Sequence, residues 1–312
     1  MRMLSRVADR LYWMARYLER AEDTARLTQV YTHLVMDIPK GTELGWDVLV
    51  RILDAEEAFT RNHRAYNEQN VLGFLISEPD NGSSLHFAIS AARENVRTTR
   101  DVLPEAVWEQ VNGLYLYAEE YAESSVGRRH RHRFLDQIIA RCQMINGMMM
   151  TTLCRDHAYR FIKLGHLLER ADMTTRIIDV GVAALLADER HRSSVDPLIW
   201  ASILQSLSAM ETYRRSTGPL VEADSVIDFV FREPTLPRSV RFCLDGIRDE
   251  LAPLKHNTEA LRTVDRYRRS LARLQVDADD RERLHDFIDR LQLGLNELGD
   301  NIASTWFLSE VK

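Results

Sequence analysis

Glycine, proline and cysteine are all scarce in this 312-residue chain. The 13 glycines and eight prolines leave long stretches without a helix breaker, a composition that favours helices. The three cysteines form no C-x-x-C pair and are odd in number, which argues against a disulfide framework. A reduced, cytoplasmic protein is therefore the simplest interpretation.

Long hydrophobic runs and an excess of one charge sign are also missing. No stretch approaches the roughly 20 apolar residues of a membrane span, and Arg2, Arg6, Asp9 and Arg10 interrupt the apolar core that a signal peptide needs. The 41 basic and 47 acidic residues are well mixed and give a net charge of −6. We therefore expect binding to neither nucleic acid nor membrane. Homo-oligomer formation stays open.

The common sequence motifs of cofactor and metal sites are absent. The chain has no G-x-x-x-x-G-K-[ST] or G-x-G-x-x-G phosphate loop, no G-x-S-x-G elbow and no H-E-x-x-H zinc motif. A di-iron bundle carries Glu-x-x-His on two helices, and neither EDTA (22–25) nor DMTT (172–175) supplies this motif. We expect no cofactor and no metal, and a self-contained ATPase or dehydrogenase is not expected.

Apolar residues recur with helical spacing in nearly every segment, and no segment alternates as a strand does. The sequence therefore predicts an all-α fold. Pro253 lies inside a predicted helix and predicts a kink or a division there. The prolines expected at joints between helices are Pro39, Pro79, Pro104, Pro197, Pro219, Pro234 and Pro237. The predicted helices span about 4–36, 43–62, 67–77, 84–102, 105–124, 133–153, 156–188, 196–215, 222–232, 238–268 and 279–308.

One charged phrase occurs twice, and other segments repeat in the same order about 154 residues apart. This order predicts an internal duplication into halves 1–153 and 154–312, two pseudo-symmetric helical bundles. The halves can share one core as a single compact unit, because no Gly- or Ser-rich linker separates them. The matched segments are YLERAEDTAR (17–26) with LLERADMTTR (167–176), VLGFLISEP (71–79) with VIDFVFREP (226–234), and the patterns that begin at Trp46 and Ser84 with those at Trp200 and Ser239.

On a helical wheel, the charged side chains of the repeated phrase are bracketed by apolar ones on both sides. Ala15 and Gly165 fall in the same sector, and their small size predicts room around the carboxylates. Asp172 stands where the first copy has Glu22, so the copies need not do identical work. The bracketed residues are Glu19, Glu22 and Arg26 in the first copy and Glu169, Asp172 and Arg176 in the second.

Glu19 and Glu169 are predicted to be mostly buried and bonded to arginines, because an isolated buried charge is very costly. Arg20 and Arg170 point roughly 100° further round the helix, and they either bridge to the other bundle or are solvated. The expected partners of the two glutamates are Arg26 and Arg176 in their own helices, or Arg61, Arg93, Arg215 and Arg248 from neighbouring helices.

Two interpretations of these charge clusters stay open. A purely structural network fixes which helices pack together, and Glu22 with Arg26 has the i,i+4 spacing of a simple helix ion pair. A binding or catalytic pocket also uses clustered carboxylates and arginines inside an apolar surround. In that case Glu19 and Glu169 are the candidate catalytic residues, although no nucleophile with an adjacent base is evident.

The segments LSRVADRLYWMARYLERAEDTARL (4–27) and YRFIKLGHLLERADMTTRIIDV (159–180) resemble the bacterial alpha-E domain family. The resemblance runs along the whole chain and implies an all-helical protein. It also implies genes beside those of circularly permuted ATP-grasp ligase-like and transglutaminase-like proteins, hence a peptide-forming or peptide-modifying system. The characteristic glutamates and arginines of the family map onto Glu19, Arg20, Glu22 and Arg26, and onto Glu169, Arg170, Asp172 and Arg176.

Two functions follow from the residues and the resemblance together. The first is an accessory or binding subunit that works with an ATP-grasp-type ligase as its protein partner. The alternative is an all-helical enzyme acting on an amide or amino-acid substrate, with Glu19 or Glu169 as acid/base and Arg26 or Arg176 holding a carboxylate.

The strongest basic run of the chain is GRRHRHR at 127–133. We interpret it as a solvated loop between helices. The other interpretation is a docking site for an acidic partner or a phosphate-bearing ligand.

Overall fold

The computed structural model describes residues 5–37, 45–187, 192–277 and 280–307. Over these residues the chain forms α-helices with no strand, which confirms the predicted all-α fold. The helices are α1 (Ser5–Asp37), α2 (Asp47–Ile52), α3 (Glu56–Asn62), α4 (Glu68–Ile76), α5 (Leu85–Arg97), α6 (Glu105–Tyr121), α7 (Arg128–Thr152), α8 (His157–Ala187), α9 (Arg192–Ser206), α10 (Met210–Ser216), α11 (Ala223–Arg232), α12 (Val240–Leu251), α13 (Thr258–Ala272) and α14 (Arg281–Ile302), with a 3₁₀ turn at Glu123–Ser125 and a π-helical turn at Ala303–Phe307.

Some predictions fall on positions outside the described residues. These are Pro39 and the predicted helix ends at 4, 43, 188, 279 and 308. Among the described helices, none is long and apolar enough to cross a membrane.

Two predicted helices, 43–62 and 196–215, are each divided in the structure. The breaks lie at Asp54 and Ser208, which both have a φ of 51°. The amide of the next residue donates to the carbonyl five residues earlier, at 3.1 Å after Asp54 and 2.7 Å after Ser208. This bond closes a helix C-terminus that glycine usually forms. The two continuous helices were wrong predictions because no glycine marks either break.

Prolines and the basic run also test the predicted boundaries. The division expected at Pro253 is confirmed, because α12 ends at Leu251 and α13 begins at Thr258. Pro197 lies inside α9 rather than at a joint; near the helix start, it removes only one intrahelical hydrogen bond. The basic run is not a loop, since Arg128 begins α7.

The buried Arg131 ties the start of α7 to its surroundings. Its Nη2 donates to the carbonyl of Val126 at 2.6 Å, and its Nη1 donates to Glu68 at 2.8 Å. Arg128 also bonds Glu68, at 2.6 Å. Two arginines of the run therefore have partners within the fold, and the run is only partly a solvated surface.

The two longest helices, α1 and α8, pack against each other at the centre of the molecule. α5 and α7 pack on α1, while α12 and α14 pack on α8. One cluster of buried apolar side chains includes residues of both predicted halves, such as Leu18 and Leu168. The side chains of the repeated phrase are therefore held at the contact between the two central helices.

Gly165 lets α1 and α8 approach closely. A Cβ at this position would overlap the carbonyl oxygen of Tyr12 and lie 3.1 Å from the Cβ of Ala15. The prediction that Ala15 and Gly165 leave room around the carboxylates is therefore wrong. Their small size is used by the backbones of the two helices instead.

Matched segments of the two predicted halves share local geometry. Ser84 and Ser239 precede α5 and α12, and each hydroxyl accepts a 3.0 Å hydrogen bond from the amide three residues later. Each hydroxyl also donates to a carbonyl six residues earlier, at 2.6 and 2.5 Å. The two helices therefore begin in the same way. The duplication and the division into 1–153 and 154–312 stay predictions.

Candidate functional site

The repeated phrase brings two glutamates to the contact between α1 and α8. Glu19 is fully buried and Glu169 is only 2% exposed, in agreement with the burial predicted from their bracketed positions. Carboxylates removed from water to this degree must be compensated by opposite charge and hydrogen bonds inside the protein.

Glu19 of α1 is bonded by side chains of α8. Arg170 donates from Nε to one carboxylate oxygen at 2.6 Å and from Nη2 to the other at 2.9 Å. His166, one turn earlier on α8, lies with Nδ1 3.2 Å from Oε2. Arg238, two residues before the start of α12, places Nη1 3.3 Å from Oε1. Glu19 thus has a fork-like arginine partner and two further donors.

Glu169 of α8 is bonded by side chains of α1. Arg16 donates from Nε to one oxygen at 2.6 Å, and Arg20 donates from Nε to the other at 2.5 Å. The glutamate of each copy therefore bonds the arginine that directly follows the glutamate of the other copy. Of the two possibilities left open for Arg20 and Arg170, the structure shows the bridge to the other copy.

The specific arginine partners that we predicted for the two glutamates are wrong. Arg26 and Arg176 lie further along their helices and bond Glu22 at 2.7 Å and Asp172 at 2.9 Å. The helix pair crosses so that the facing helix, rather than the glutamate's own helix, supplies the nearest cations. Within the described residues, no ion pair joins either glutamate to Arg61, Arg93, Arg215 or Arg248.

The arginines outweigh burial in setting the charge of both glutamates. Burial alone would raise the pKa of Glu19, but Arg170 and Arg238 hold this pKa well below its usual range. Burial also opposes ionisation of Glu169, yet Arg16 and Arg20 lower its pKa to about 2. Both carboxylates are therefore ionised at neutral pH, with no proton to give and little tendency to accept one.

The Glu19 cluster contains a further pair of acids that share Arg238. This arginine is 8% exposed; it donates to Glu22 at 2.9 Å and also bonds Asp23. Burial raises the pKa of Asp23 to about 7, and Glu19 and Glu22 add to this rise while Arg238 opposes it. The second oxygen of Asp23 is buried without a hydrogen-bond partner in the described structure. Asp23 is therefore the acid of the cluster that titrates near neutrality.

The Glu169 cluster opens toward a cavity. Arg176 bonds Asp172 and also lies 3.8 Å from the exposed Asp54. Arg176, Asp54 and Asp179 help to line a cavity of about 360 Å³ between α2, α8 and α14. The Oδ1 atom of Asp172 is buried and has no hydrogen-bond partner in the described part of the chain. This cluster thus combines an incompletely bonded acid with a nearby polar cavity.

A group of potential metal ligands lies near the same cavity. Asp179, His285 and Asp289 place one ligand atom each within 4.8 Å of one another. His285 Nδ1 is 2.6 Å from Asp179, and this hydrogen bond raises the pKa of His285. Carboxylate and imidazole ligands suit a divalent cation in general. The sequence predicted no metal because it lacks the common metal-binding motifs. If the protein binds a divalent cation, Asp179, His285 and Asp289 are the residues that could hold it.

Aromatic rings cover the arginines that bond Glu169. Arg16 lies over the rings of Trp13 and Tyr12, with its guanidinium carbon 5.0 and 5.7 Å from their centroids. Arg20 lies 5.6 Å from the centroid of Tyr17. These rings shield the two guanidinium groups from water on one side, where cation–π attraction adds to the ion pairs.

The thiols and the histidine near the glutamates do not form a nucleophile–base pair. Cys142 and Cys243 are buried, and burial raises the pKa of both thiols, that of Cys243 to about 12. Burial also lowers the pKa of His166, whose Nε2 has no hydrogen-bond partner among the described residues. Protonated thiols are poor nucleophiles at neutral pH.

Sequence reasoning missed four members of these clusters, namely Arg16, Asp23, His166 and Arg238. Arg16 and His166 occupy matching positions three residues before each glutamate, so the repeat itself offered a signal for this pair. Asp23 directly follows Glu22 and extends the charged phrase. Arg238 gave no local signal, because it lies 215 residues from Asp23 in the sequence.

Comparison with known proteins gives a family and distant relatives. A family model named Alpha-E, described as a predicted alpha-helical domain with a conserved ER motif, matches residues 3–307. Uncharacterised proteins of Mycobacterium bovis and of Mycobacterium tuberculosis strain CDC 1551 are each 23% identical over 331 residues. The match covers 96% of this chain but only 36% of each relative, so the chain spans about a third of their length. No solved structure matches.

The description of the family agrees with the site. Glu-Arg dipeptides occur at 19–20 and at 169–170, where each glutamate bonds the arginine of the other dipeptide. The match of the family model over nearly the whole chain, together with the all-helical fold, shows that this protein belongs to the Alpha-E family.

Proposed function

We propose that this chain is an accessory or binding subunit of a bacterial peptide-ligation or peptide-modification system, and that it works with an ATP-grasp-type ligase. The observation that carries the non-enzymatic part is the reciprocal bonding of Glu19 to Arg170 and of Glu169 to Arg20. The ligase partner rests on the family resemblance.

The reciprocal pairs are better suited to joining two helices than to proton transfer. A general acid or base works best when its pKa lies near the working pH. The pKa of Glu19 is far below its usual range and that of Glu169 is about 2. Each glutamate is also occupied by at least two donors, which leaves little bonding capacity for a substrate. We therefore assign to the Glu-Arg dipeptides the role of locking α1 against α8.

An enzyme acting on an amide or amino-acid substrate is the second candidate, and the cavity beside Arg176 favours it. Arg176 could hold a substrate carboxylate there, and Asp172 has an unbonded buried oxygen nearby. In this alternative, Asp172 and Arg176 beside the cavity carry out the chemistry, rather than Glu19 and Glu169.

Copurification and activity assays separate the two functions. The protein is mixed with an ATP-grasp-type ligase of the kind that the family resemblance implies, and ATP-dependent product is measured for each protein alone and for both together. We expect a stable complex, no product from this chain alone, and more product from the pair than from the ligase alone. Product formed by this chain alone would support the enzyme instead, and no complex with no change in ligase activity would remove the accessory function.

A matched pair of variants makes the assay more specific. Arg176→Gln alters the cavity beside Asp172, and Arg262→Gln removes an exposed arginine of α13 that bonds Glu259. The accessory function expects both variants to leave this chain without activity of its own. The enzyme alternative expects loss of activity in Arg176→Gln and none in Arg262→Gln.

A further inference from the structure

A second cavity lies far from the repeated phrase in sequence, between α13 and α14. Its volume is about 380 Å³, within the range of small-molecule sites. Its floor includes the buried apolar side chains Leu284 and Phe287. Five arginines line it: Arg266 and Arg269 of α13, Arg273 just after that helix, and Arg283 and Arg290 of α14.

Most of these arginine side chains have no partner among the residues that the structure describes. Arg266 donates to Glu297 at 2.5 Å. The side chains of the other four have no hydrogen bond or ion pair within the described residues. Two aspartates also line the cavity, and one of them, Asp280, accepts a hydrogen bond from the Arg283 amide at the start of α14. The cavity therefore carries an excess of positive charge in a chain whose net charge is −6.

The spacing of the arginines describes the shape of a suitable anion. Arg283 and Arg290 are seven residues apart on one face of α14 and are separated by about 10 Å along the helix. Arg266 and Arg273 have the same spacing in sequence, with Arg273 directly after the end of α13. The short connection makes α13 and α14 neighbours, and the two pairs face one cavity. A single phosphate or carboxylate is too small to reach both ends of such rows, whereas a chain of linked phosphates places several charges along them.

We propose that this cavity binds the polyphosphate chain of a small ligand, either an inorganic polyphosphate or the phosphate chain of a nucleotide. The guanidinium groups of Arg273 and Arg283 hold the phosphate oxygens at the end of the cavity nearest the α13–α14 connection. Guanidinium groups match phosphate oxygens in a two-bond fork, and arginine keeps its charge at every physiological pH. Leu284 and Phe287 keep water from one side of the anion.

Calorimetric titration of the full chain with tripolyphosphate, pyrophosphate and orthophosphate tests the proposal, at one ionic strength maintained with sodium chloride. We expect tripolyphosphate to bind at least about tenfold more tightly than orthophosphate, because it engages more of the arginines. ATP is the further probe. Equal affinity for ATP and tripolyphosphate indicates recognition of the phosphate chain alone, while tighter binding of ATP indicates that the base is also held.

Variants assign the binding to this cavity. Arg273→Gln and Arg283→Gln should each weaken tripolyphosphate binding by about fivefold or more, since each removes a charged fork. Arg262→Gln is the matched control, because Arg262 is an exposed arginine of α13 that bonds Glu259 and does not line the cavity. Circular dichroism and thermal melts check that all three variants are folded.

Three results would overturn the proposal. The first is no tripolyphosphate binding even at low ionic strength. The second is equal weakening in Arg262→Gln and in the cavity variants, which would indicate attraction to general surface charge. The third is tighter binding of a glutamate-rich peptide of equal charge than of tripolyphosphate, which would point to an acidic protein segment. None of these results bears on complex formation with the ligase.

Discussion

The two glutamate clusters use the same pairing rule but differ in depth and in charge. Glu19 is bonded by Arg170, His166 and Arg238, and further acids crowd around it. Among the described residues, Glu169 is bonded by Arg16 and Arg20, whose side chains are 14% and 24% exposed. The Arg170 side chain is 18% exposed, so the two clusters differ mainly through His166 and Arg238, which are 8% and 9% exposed and add buried donors around Glu19.

Arg238 accounts for much of the difference. Ser239 matches Ser84 in the repeated segments, so Arg238 matches Ser83, which is too short to reach a carboxylate in this way. The first copy has Asp23 where the second has Met173. The additional acid of the first phrase, Asp23, is thus paired with an additional arginine, Arg238, from the second predicted half. The charges of the two clusters are therefore balanced together and not within each cluster separately.

The largest expected effect is on stability, and it compares Glu19→Gln with Glu169→Gln. Loss of the Glu19 charge leaves Arg170 and Arg238 buried beside a neutral amide, which we expect to cost about 3–5 kcal/mol of unfolding free energy. Glu169→Gln should cost about 1–3 kcal/mol, because Arg20 is 24% exposed and no arginine as buried as Arg238 bonds Glu169 in the described structure. Chemical denaturation of both variants measures the difference, and equal losses would contradict the contrast in depth.

A double-mutant cycle sharpens the same comparison at the level of single pairs. The coupling energy of Glu19 with Arg170 should exceed that of Glu169 with Arg20, within the usual range of about 0.5–3 kcal/mol for contacting residues. Each cycle uses Gln for the glutamate and Met for the arginine, and unfolding free energies of the two singles and the double are compared. A larger coupling for the Glu169 pair would reverse our ranking.

The pH dependence of stability should reveal Asp23. Its pKa is about 7 in the folded protein, above the usual value of 3.8. The folded state therefore holds the proton longer than the unfolded state, so this group lowers stability as pH rises from about 4 to about 7. In Asp23→Asn that loss is missing, and the melting temperature should fall less between pH 5 and pH 8 than in the parent. An identical fall in both proteins would show that Asp23 does not titrate in this window.

The smallest expected effect concerns the i,i+4 pairs at the ends of the phrases. Arg176→Gln removes a partly exposed ion pair with Asp172, and we expect a loss below about 1 kcal/mol. Arg26→Gln should cost more, because Glu22 is more buried than Asp172. The two unfolding free energies, measured side by side, test whether the contrast between the copies extends to these outer pairs.

Local patterns in the sequence were sufficient for some features of the fold and the site. Helical spacing of apolar residues predicted the all-α fold, and the bracketing of Glu19 and Glu169 predicted their burial, because both features depend on one helix at a time. The partners of the glutamates depend on how α1 crosses α8, which no local pattern contains. The helix ends at Asp54 and Ser208 were missed for a related reason, since the long-range fold stabilises a backbone conformation that these residues rarely choose.

The exchange of partners between α1 and α8 makes the Glu-Arg dipeptide self-complementary. One dipeptide supplies both a carboxylate and a guanidinium group. Two identical dipeptides related by a two-fold axis therefore form two ion pairs with each other. Such an isologous arrangement is the usual geometry of homodimers. A chain with a single Glu-Arg dipeptide would therefore carry both charged groups of the reciprocal pair, and it could form that pair with a second molecule of itself. The tandem arrangement supplies that second copy at fixed stoichiometry, whatever the protein concentration.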